Sequence, residues 1–316
     1  MNSDLIIPTF ESVALLLGLG MLGFWMISRK ILFGEALSFL STLALDIALP
    51  SLVFVNVILG FQPEDFPGWW KLPLWWLVFT VFAAAMTGLF MLTAKKGFRR
   101  EFGITLFFQN GLFFPLAILT GMYGSDSPYI VYLFLFMLFY PTLVFSTSHF
   151  FFSGQVKKLD WAKIVNRVLI ATILAVVIRL TGMHHYVPCF VIIGLKMIGN
   201  MALPVLMIIL GGNIYIDFQN KGNLYVGEIT KFLIVKNVLF PLACLFLLLL
   251  VRPPNSVAML MILQSAVPPI TAVPLFVERF GGNRNLVNQF MFTSFVLSLV
   301  TIPFAIYFFG CFFTLP

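Results

Sequence analysis

Apolar residues occupy this chain in ten blocks of about twenty residues, and short polar stretches separate them. The blocks are roughly 12–29, 37–60, 72–94, 102–121, 128–152, 161–181, 188–212, 226–250, 256–278 and 287–310. A helix needs about 20 mostly apolar residues to cross a bilayer, so each block predicts one transmembrane helix. The connections hold the turn formers and most of the charge, as in "FQPEDFPGWWK", "KKGFRRE", "SGQVKKLD" and "ERFGGNRN". No soluble domain, long linker or low-complexity segment interrupts them.

Composition agrees with this pattern. The 316 residues are 60% hydrophobic and 10% charged, against about 25% charged in a soluble domain. The lipid bilayer is therefore the expected surroundings, and the fold class is an all-α integral membrane protein. The first block lacks the basic start and small-residue cleavage site of a secretory signal, so it reads as a retained helix. The net charge of +7 would suit a nucleic acid, but its placement favours membrane topology and no nucleic-acid partner. Twelve lysines and arginines, among them Arg29, Lys30, Lys95, Lys96, Arg99, Arg100, Lys157, Lys158, Lys163 and Lys221, follow odd-numbered blocks; only Lys71, Arg179 and Arg252 follow even ones. Basic residues are retained on the cytoplasmic side. This places a multi-pass protein in the plasma (cytoplasmic) membrane with both termini on the non-cytoplasmic side.

A phrase recurs inside the blocks. "DIALPSL" begins at Asp46 and "NMALPVL" at Asn200, 154 residues later. The same offset carries Asn110, Gly111 and Pro115 of "QNGLFFP" onto Gln264, Ser265 and Pro269 of "QSAVPP". Helices 1–5 (residues 1–155) thus map onto helices 6–10 (residues 156–316). A five-helix unit that begins on one side ends on the other, so its copy is inverted. Inverted repeats place binding sites near the midplane, at discontinuous helices.

The prolines indicate those discontinuities. Proline has no N–H and strikes the carbonyl four residues back. Pro50, Pro115, Pro204, Pro268 and Pro269 free the carbonyls of Asp46, Gly111, Asn200, Gln264 and Ser265. Such breaks persist in hydrocarbon only where they face protein or a wet cavity. The breaks in helices 4 and 9 lie about eight to twelve residues from either helix end, at midplane depth by the ~1.5 Å rise per residue. Each creates a half-helix N-terminus with free N–H donors and a positive dipole end, which attracts anions. Asn110, Gly111, Pro115, Gln264, Ser265, Pro268 and Pro269 are therefore the candidate substrate site.

Charges within spans are costly and are functional candidates by default. Asp46 is too short to reach the interface and is a candidate for binding a coupling H+ or Na+, or for pairing with a lysine. Lys196, on one helical face with Asn200, and Lys236 join it as candidates. A lysine within two turns of a boundary can also carry its ammonium to the interface, and both lysines are open between the two roles. The cysteines Cys189, Cys244 and Cys311 and the pair His184–His185 lack metal-ligand spacing, so no metal or other cofactor is expected. No HExxH, GxSxG or phosphate loop is present, which argues against an enzyme. A ligand-sensing receptor would carry a signalling domain.

The stretches "LLLGLGMLGFWMISRKILFGEALSFLSTLALDIALPSLVF", "NGLFFP", "GNMALPVLMIILGGNI", "VKNVLFPL" and "QSAVPPITAVPLFVERFGG" resemble the auxin efflux carrier (membrane transport protein) family in its compact form. The resemblance covers nearly the whole chain; the long cytoplasmic loop of the plant auxin exporters is replaced by "SGQVKKLDWAK". It implies a homodimeric 5+5 carrier with a scaffold and a moving transport domain, in which the broken helices 4 and 9 cross at the substrate. It assigns Asn110 to a substrate carboxylate, Gln264 as the matching amide, and Asp46 to a support or ion site. Family substrates include auxin and small organic acids such as malate and malonate. The expected function is an organic-anion carrier working by an elevator-like shift; the alternative is a cation-coupled symporter or antiporter of the bile-acid/sodium type.

Overall fold

The computed structural model describes residues 6–65, 67–125, 127–147, 151, 167–219 and 223–314. The boundary proposed between the two halves at 155/156, together with Lys157, Lys158, Lys163 and Lys221, lies outside them. The described residues form sixteen α-helices linked by short 3-10 and π turns. Numbered in order, these are α1 (Ile6–Ser28), α2 (Gly34–Leu43), α3 (Leu49–Gly60), α4 (Leu72–Phe90), α5 (Arg99–Phe107), α6 (Phe113–Tyr123), α7 (Pro128–Phe136) and α8 (Tyr140–Thr147). They continue with α9 (Arg167–Leu180), α10 (Cys189–Asn200), α11 (Ala202–Gln219), α12 (Val226–Leu233), α13 (Phe240–Val251), α14 (Asn255–Ala266), α15 (Val273–Arg279) and α16 (Arg284–Phe312).

Six continuous helical stretches are long and apolar enough to cross a membrane: Ile6–Ser28, Gly34–Gly60, Trp69–Thr93, Cys189–Ile216, Val226–Val251 and Arg284–Phe312. Their lipid-compatible faces carry residues such as Met21, Val81, Met197 and Phe246, each more than 60% exposed. The expected fourth and ninth spans appear instead as half-helices, α5 with α6 and α14 with α15. Residues 101–106 of α5, 113–119 of α6 and 257–266 of α14 are buried without interruption. A helix buried on all sides is a core helix, so the broken helices form the centre of the bundle and the long helices surround them.

The recurrent prolines do not all act alike. Pro50 leaves Gly34–Gly60 continuous, because residues Ala44–Ala48 form a π turn in which the Leu49 amide bonds the Ala44 carbonyl, five residues back. One extra residue in the turn gives the pyrrolidine ring room without opening the helix. Pro241 is accommodated in the same way: Ile234–Leu239 is a π turn, and the Phe240 amide bonds the Val235 carbonyl. Near Pro204 the chain departs from the helix only at Met201. The chain opens into extended backbone between α5 and α6 and between α14 and α15, and a turn at Met137–Phe139 separates α7 from α8. The two π turns contain Asp46 and Lys236, both among the charges singled out within the spans.

Small residues set the closest helix contacts. A methyl added at Gly23 would overlap the Ile208 carbonyl, and one at Gly211 would overlap that of Gly20, so α1 and α11 approach backbone to backbone. Small residues serve this purpose in membranes, where packing replaces the hydrophobic driving force. Gly199 does the same for α10 against α3, with space for a Cβ only 2.7 Å from the Leu52 Cα. Gly23→Leu is expected to force α1 and α11 apart and cost about 1–3 kcal/mol or more. Thermal unfolding in detergent would show it; an unchanged midpoint would contradict the close crossing.

At one end of the bundle two buried carboxylates serve backbone N–H groups. Glu101 accepts from the Asn283 amide (2.9 Å) and Glu228 from the Lys95 amide (3.3 Å). Asn283 in turn caps α16, its side chain accepting from the Leu286 amide.

Candidate functional site

The two interrupted helices meet at their breaks. After α5 and after α14 the chain becomes extended; Pro268 and Pro269 remove the donors that would continue α14, while Pro115 lies in the first turn of α6, where its missing N–H breaks no helical bond. The extended runs pair antiparallel, Gln109 opposite Pro269. The Asn110 amide donates to the Pro268 carbonyl (2.8 Å) and the Ile270 amide to the Phe108 carbonyl (2.9 Å). A buried backbone group must find a partner, and here each break partners the other.

Two of the carbonyls freed by proline find side-chain donors. Pro115 frees that of Gly111, and the Gln264 side-chain amide donates to it (2.5 Å). Pro269 frees that of Ser265, and the Lys236 ammonium donates to it (3.0 Å). A Cβ at Gly111 would collide with the Gln264 side chain and lie 2.7 Å from Met137 Cε, so glycine is required where this amide packs. The Tyr140 hydroxyl donates to the Gln109 carbonyl. The Ser265 hydroxyl turns back to the Ile262 carbonyl (2.7 Å).

One donor at the crossing has no protein partner. Asn110 is 1% exposed and its side-chain Nδ2 makes no hydrogen bond. Leaving a buried donor unsatisfied costs about 1–3 kcal/mol. Beside backbone groups that are paired across the crossing, the orphan marks the place an acceptor would enter.

Positive potential here has two sources. One is the N-terminus of α6, eleven residues long, with its dipole end. The expected second half-helix dipole is small, because α15 has only seven residues. At this break the charge is Lys236, which is fully buried. The interface role considered for Lys236 is thereby overturned: the side chain points into the bundle, with Nζ 4.8 Å from the centre of the Phe240 ring. Its neighbour Asn237 ties the π turn to α16, donating to the Ser294 carbonyl (3.2 Å) and accepting from the Ser294 hydroxyl (2.9 Å).

The remaining candidates lie elsewhere. Asp46 pairs with Arg167 at 2.6 Å, an arginine rather than the lysine considered for it. Both side chains remain substantially exposed, 40% for Asp46 and 62% for Arg167. Lys196 and Asn200 line a cavity of about 510 Å³ between α3, α6, α7 and α10, with Asn56, Thr120 and Ser127. None of the crossing residues from Phe108 to Gly111 or from Gln264 to Ile270 lines that cavity. Breaking the Asp46–Arg167 pair from one side is expected to destabilise more than removing both charges, since a lone charge in a span is the costly species. Thermal midpoints of Asp46→Asn, Arg167→Gln and the double variant test this; additive losses would contradict it.

The sequence reading missed Arg167, Tyr140 and Asn237. For Asn237 the signal was present: it precedes Pro241 by four, the spacing of Asp46 to Pro50 and Asn200 to Pro204. Tyr140 and Arg167 carry no such mark, because their partners are 31 and 121 residues distant.

Comparison with known proteins adds the family. A family model described as "Membrane transport protein" matches residues 8–163 and 154–306, which together span most of the chain. No curated protein matches it. The family is one of transporters rather than enzymes, and the apolar helices fit it. The chain is a multi-pass membrane protein that belongs to the membrane transport protein family, the auxin efflux carrier-like family its sequence resembles.

Proposed function

We propose that the protein is a carrier for small organic anions, with the substrate carboxylate held at the crossing of the two broken helices. The observation that carries this reading is the buried, unpartnered Asn110 amide beside the N-terminus of α6. A carboxylate oxygen there would accept from Nδ2 as a charge-assisted bond, which is stronger than a neutral one. The reading takes the ten apolar blocks as ten crossings in two inverted halves, 1–155 and 156–316. The common offset between the two breaks and their antiparallel contact support that arrangement. It places both termini outside the cytoplasm in the plasma membrane, on the distribution of basic residues, and takes the working unit as a homodimer by family resemblance.

Movement follows from the packing. The crossing is one hydrogen-bonded body, built from α5, α6, α14 and the Lys236 turn, so it would shift as a unit. The cavity beside Lys196 and Asn200 lies between α6 and α7 on one side and α3 and α10 on the other. In an elevator-type cycle that is where the moving part would slide past the scaffold and where a substrate would approach. The test is uptake of radiolabelled malate, malonate, short fatty acids and indole acetate into proteoliposomes. The expected result is saturable uptake of at least one acid; uptake no faster than in protein-free vesicles across the panel would overturn the reading.

A further inference from the structure

Lys236 raises a separate question, because its ammonium is buried and no carboxylate pairs with it among the described residues. Among the described residues, Asp46 pairs with Arg167, Glu228 with Lys231, and Glu101 accepts from the Asn283 amide. Around Lys236 Nζ lie the Ser265 carbonyl at 3.0 Å, the face of Phe240 at 4.8 Å and the buried, uncharged Cys244 thiol. Ser265 is the second-last residue of α14, so its carbonyl lies at the negative end of that half-helix dipole. The carbonyl and the ring suit a cation. None of the three groups carries a full negative charge.

An isolated charge is among the most expensive groups to bury. The π turn places this one beside the crossing. Ser265 adjoins Gln264, whose amide holds the Gly111 carbonyl, and Gly111 adjoins Asn110 with its orphan donor. In sodium-coupled carriers the carbonyls at half-helix C-terminal ends coordinate the cation, and at Ser265 the lysine already occupies such a carbonyl.

We propose that Lys236 is the fixed cation of the transport site: it holds the place of a coupling metal ion and supplies the positive charge against which the substrate anion binds. This rests on the carrier reading above. It adds that the substrate must arrive as an anion and that the cycle has no requirement for Na+.

The experiment compares wild type with Lys236→Gln in proteoliposomes, using radiolabelled malate and indole acetate in sodium chloride or in choline chloride. Glutamine removes the charge and keeps an N–H donor on a side chain one atom shorter, so the thermal midpoint reads any loss of the Ser265 contact and KM reads the loss of the charge. The expected results are equal wild-type uptake in both salts and, in the variant, a KM raised about tenfold or more with the thermal midpoint retained. Wild-type uptake that stops in choline overturns the proposal, as does a folded Lys236→Gln protein with the wild-type KM. If the variant does not fold, the two wild-type salt arms decide. If wild type moves neither acid, the carrier reading fails for these substrates, and thermal unfolding of wild type in the two salts decides the cation question. A midpoint raised by Na+ over choline would reveal an inorganic cation site and overturn the proposal; equal midpoints uphold it.

Discussion

Asn110→Ala is expected to abolish high-affinity binding of the substrate while leaving the empty protein as stable as before, or more stable. Most substitutions in a packed core behave otherwise, since they destabilise the fold whatever they do to function. The exception follows from the orphan amide. In the unloaded protein Asn110 Nδ2 has no partner and is buried, so alanine removes a donor that was already costing free energy. The backbone amide of residue 110, which bonds the Pro268 carbonyl, is untouched, and the crossing stays closed. A bound carboxylate, by contrast, loses a charge-assisted hydrogen bond worth about 1.5–3 kcal/mol, or roughly 10- to 150-fold in affinity. The check is a thermal midpoint and a binding isotherm on the same preparation. A lowered midpoint would show that Asn110 holds the fold.

Gln264→Leu should show the opposite pattern. Gln264 is as buried as Asn110, but its amide is already committed to the Gly111 carbonyl. Pro115 has no N–H to offer that carbonyl. Leucine keeps the volume and leaves the acceptor buried and unmatched, at a cost of about 1–3 kcal/mol. Gly111→Val attacks the same contact from the other side, since even a single added carbon would collide with the Gln264 side chain. Both variants are expected to lower the thermal midpoint and to lose transport with it. Stability without transport would move Gln264 into direct contact with substrate; full activity in either would dissolve the crossing as the centre of the account. Two buried amides, each five residues before a proline (Pro115 and Pro269), thus separate into one that binds and one that braces.

That separation was not legible in the sequence. The apolar blocks and the two interruptions were, because hydrocarbon forbids unsatisfied backbone and so ties proline, amide and glycine to a few protected places. What pattern cannot supply is the identity of the partner across space. Asn110 and Gln264 are equivalent under the 154-residue offset; only the packing of Met137 and Gln264 around Gly111 distinguishes them. Pro50 and Pro115 both remove a donor, yet one follows a π turn inside a continuous helix and the other lies in the first turn of α6, just after an open break. At the break the Gln264 side chain takes the Gly111 carbonyl, and a second extended segment pairs with the residues before it. Lys236 could be read from spacing as an interface residue, and only its orientation toward Ser265 shows it to be internal. Lys196 and Asn200 were grouped with the coupling residues by depth, but they face a cavity that the crossing residues do not line.

The cavity and the crossing offer two places for an anion, and they can be told apart directly. The most direct measurement is a structure of the protein bound to whichever acid it transports, carrying a heavy-atom substituent so that its position is unambiguous. The account predicts a carboxylate oxygen at about 3 Å from Asn110 Nδ2, at the antiparallel contact between residues 108–111 and 267–270. A carboxylate seated instead against Lys196 and Asn200, with the Asn110 amide still unpartnered, would contradict it.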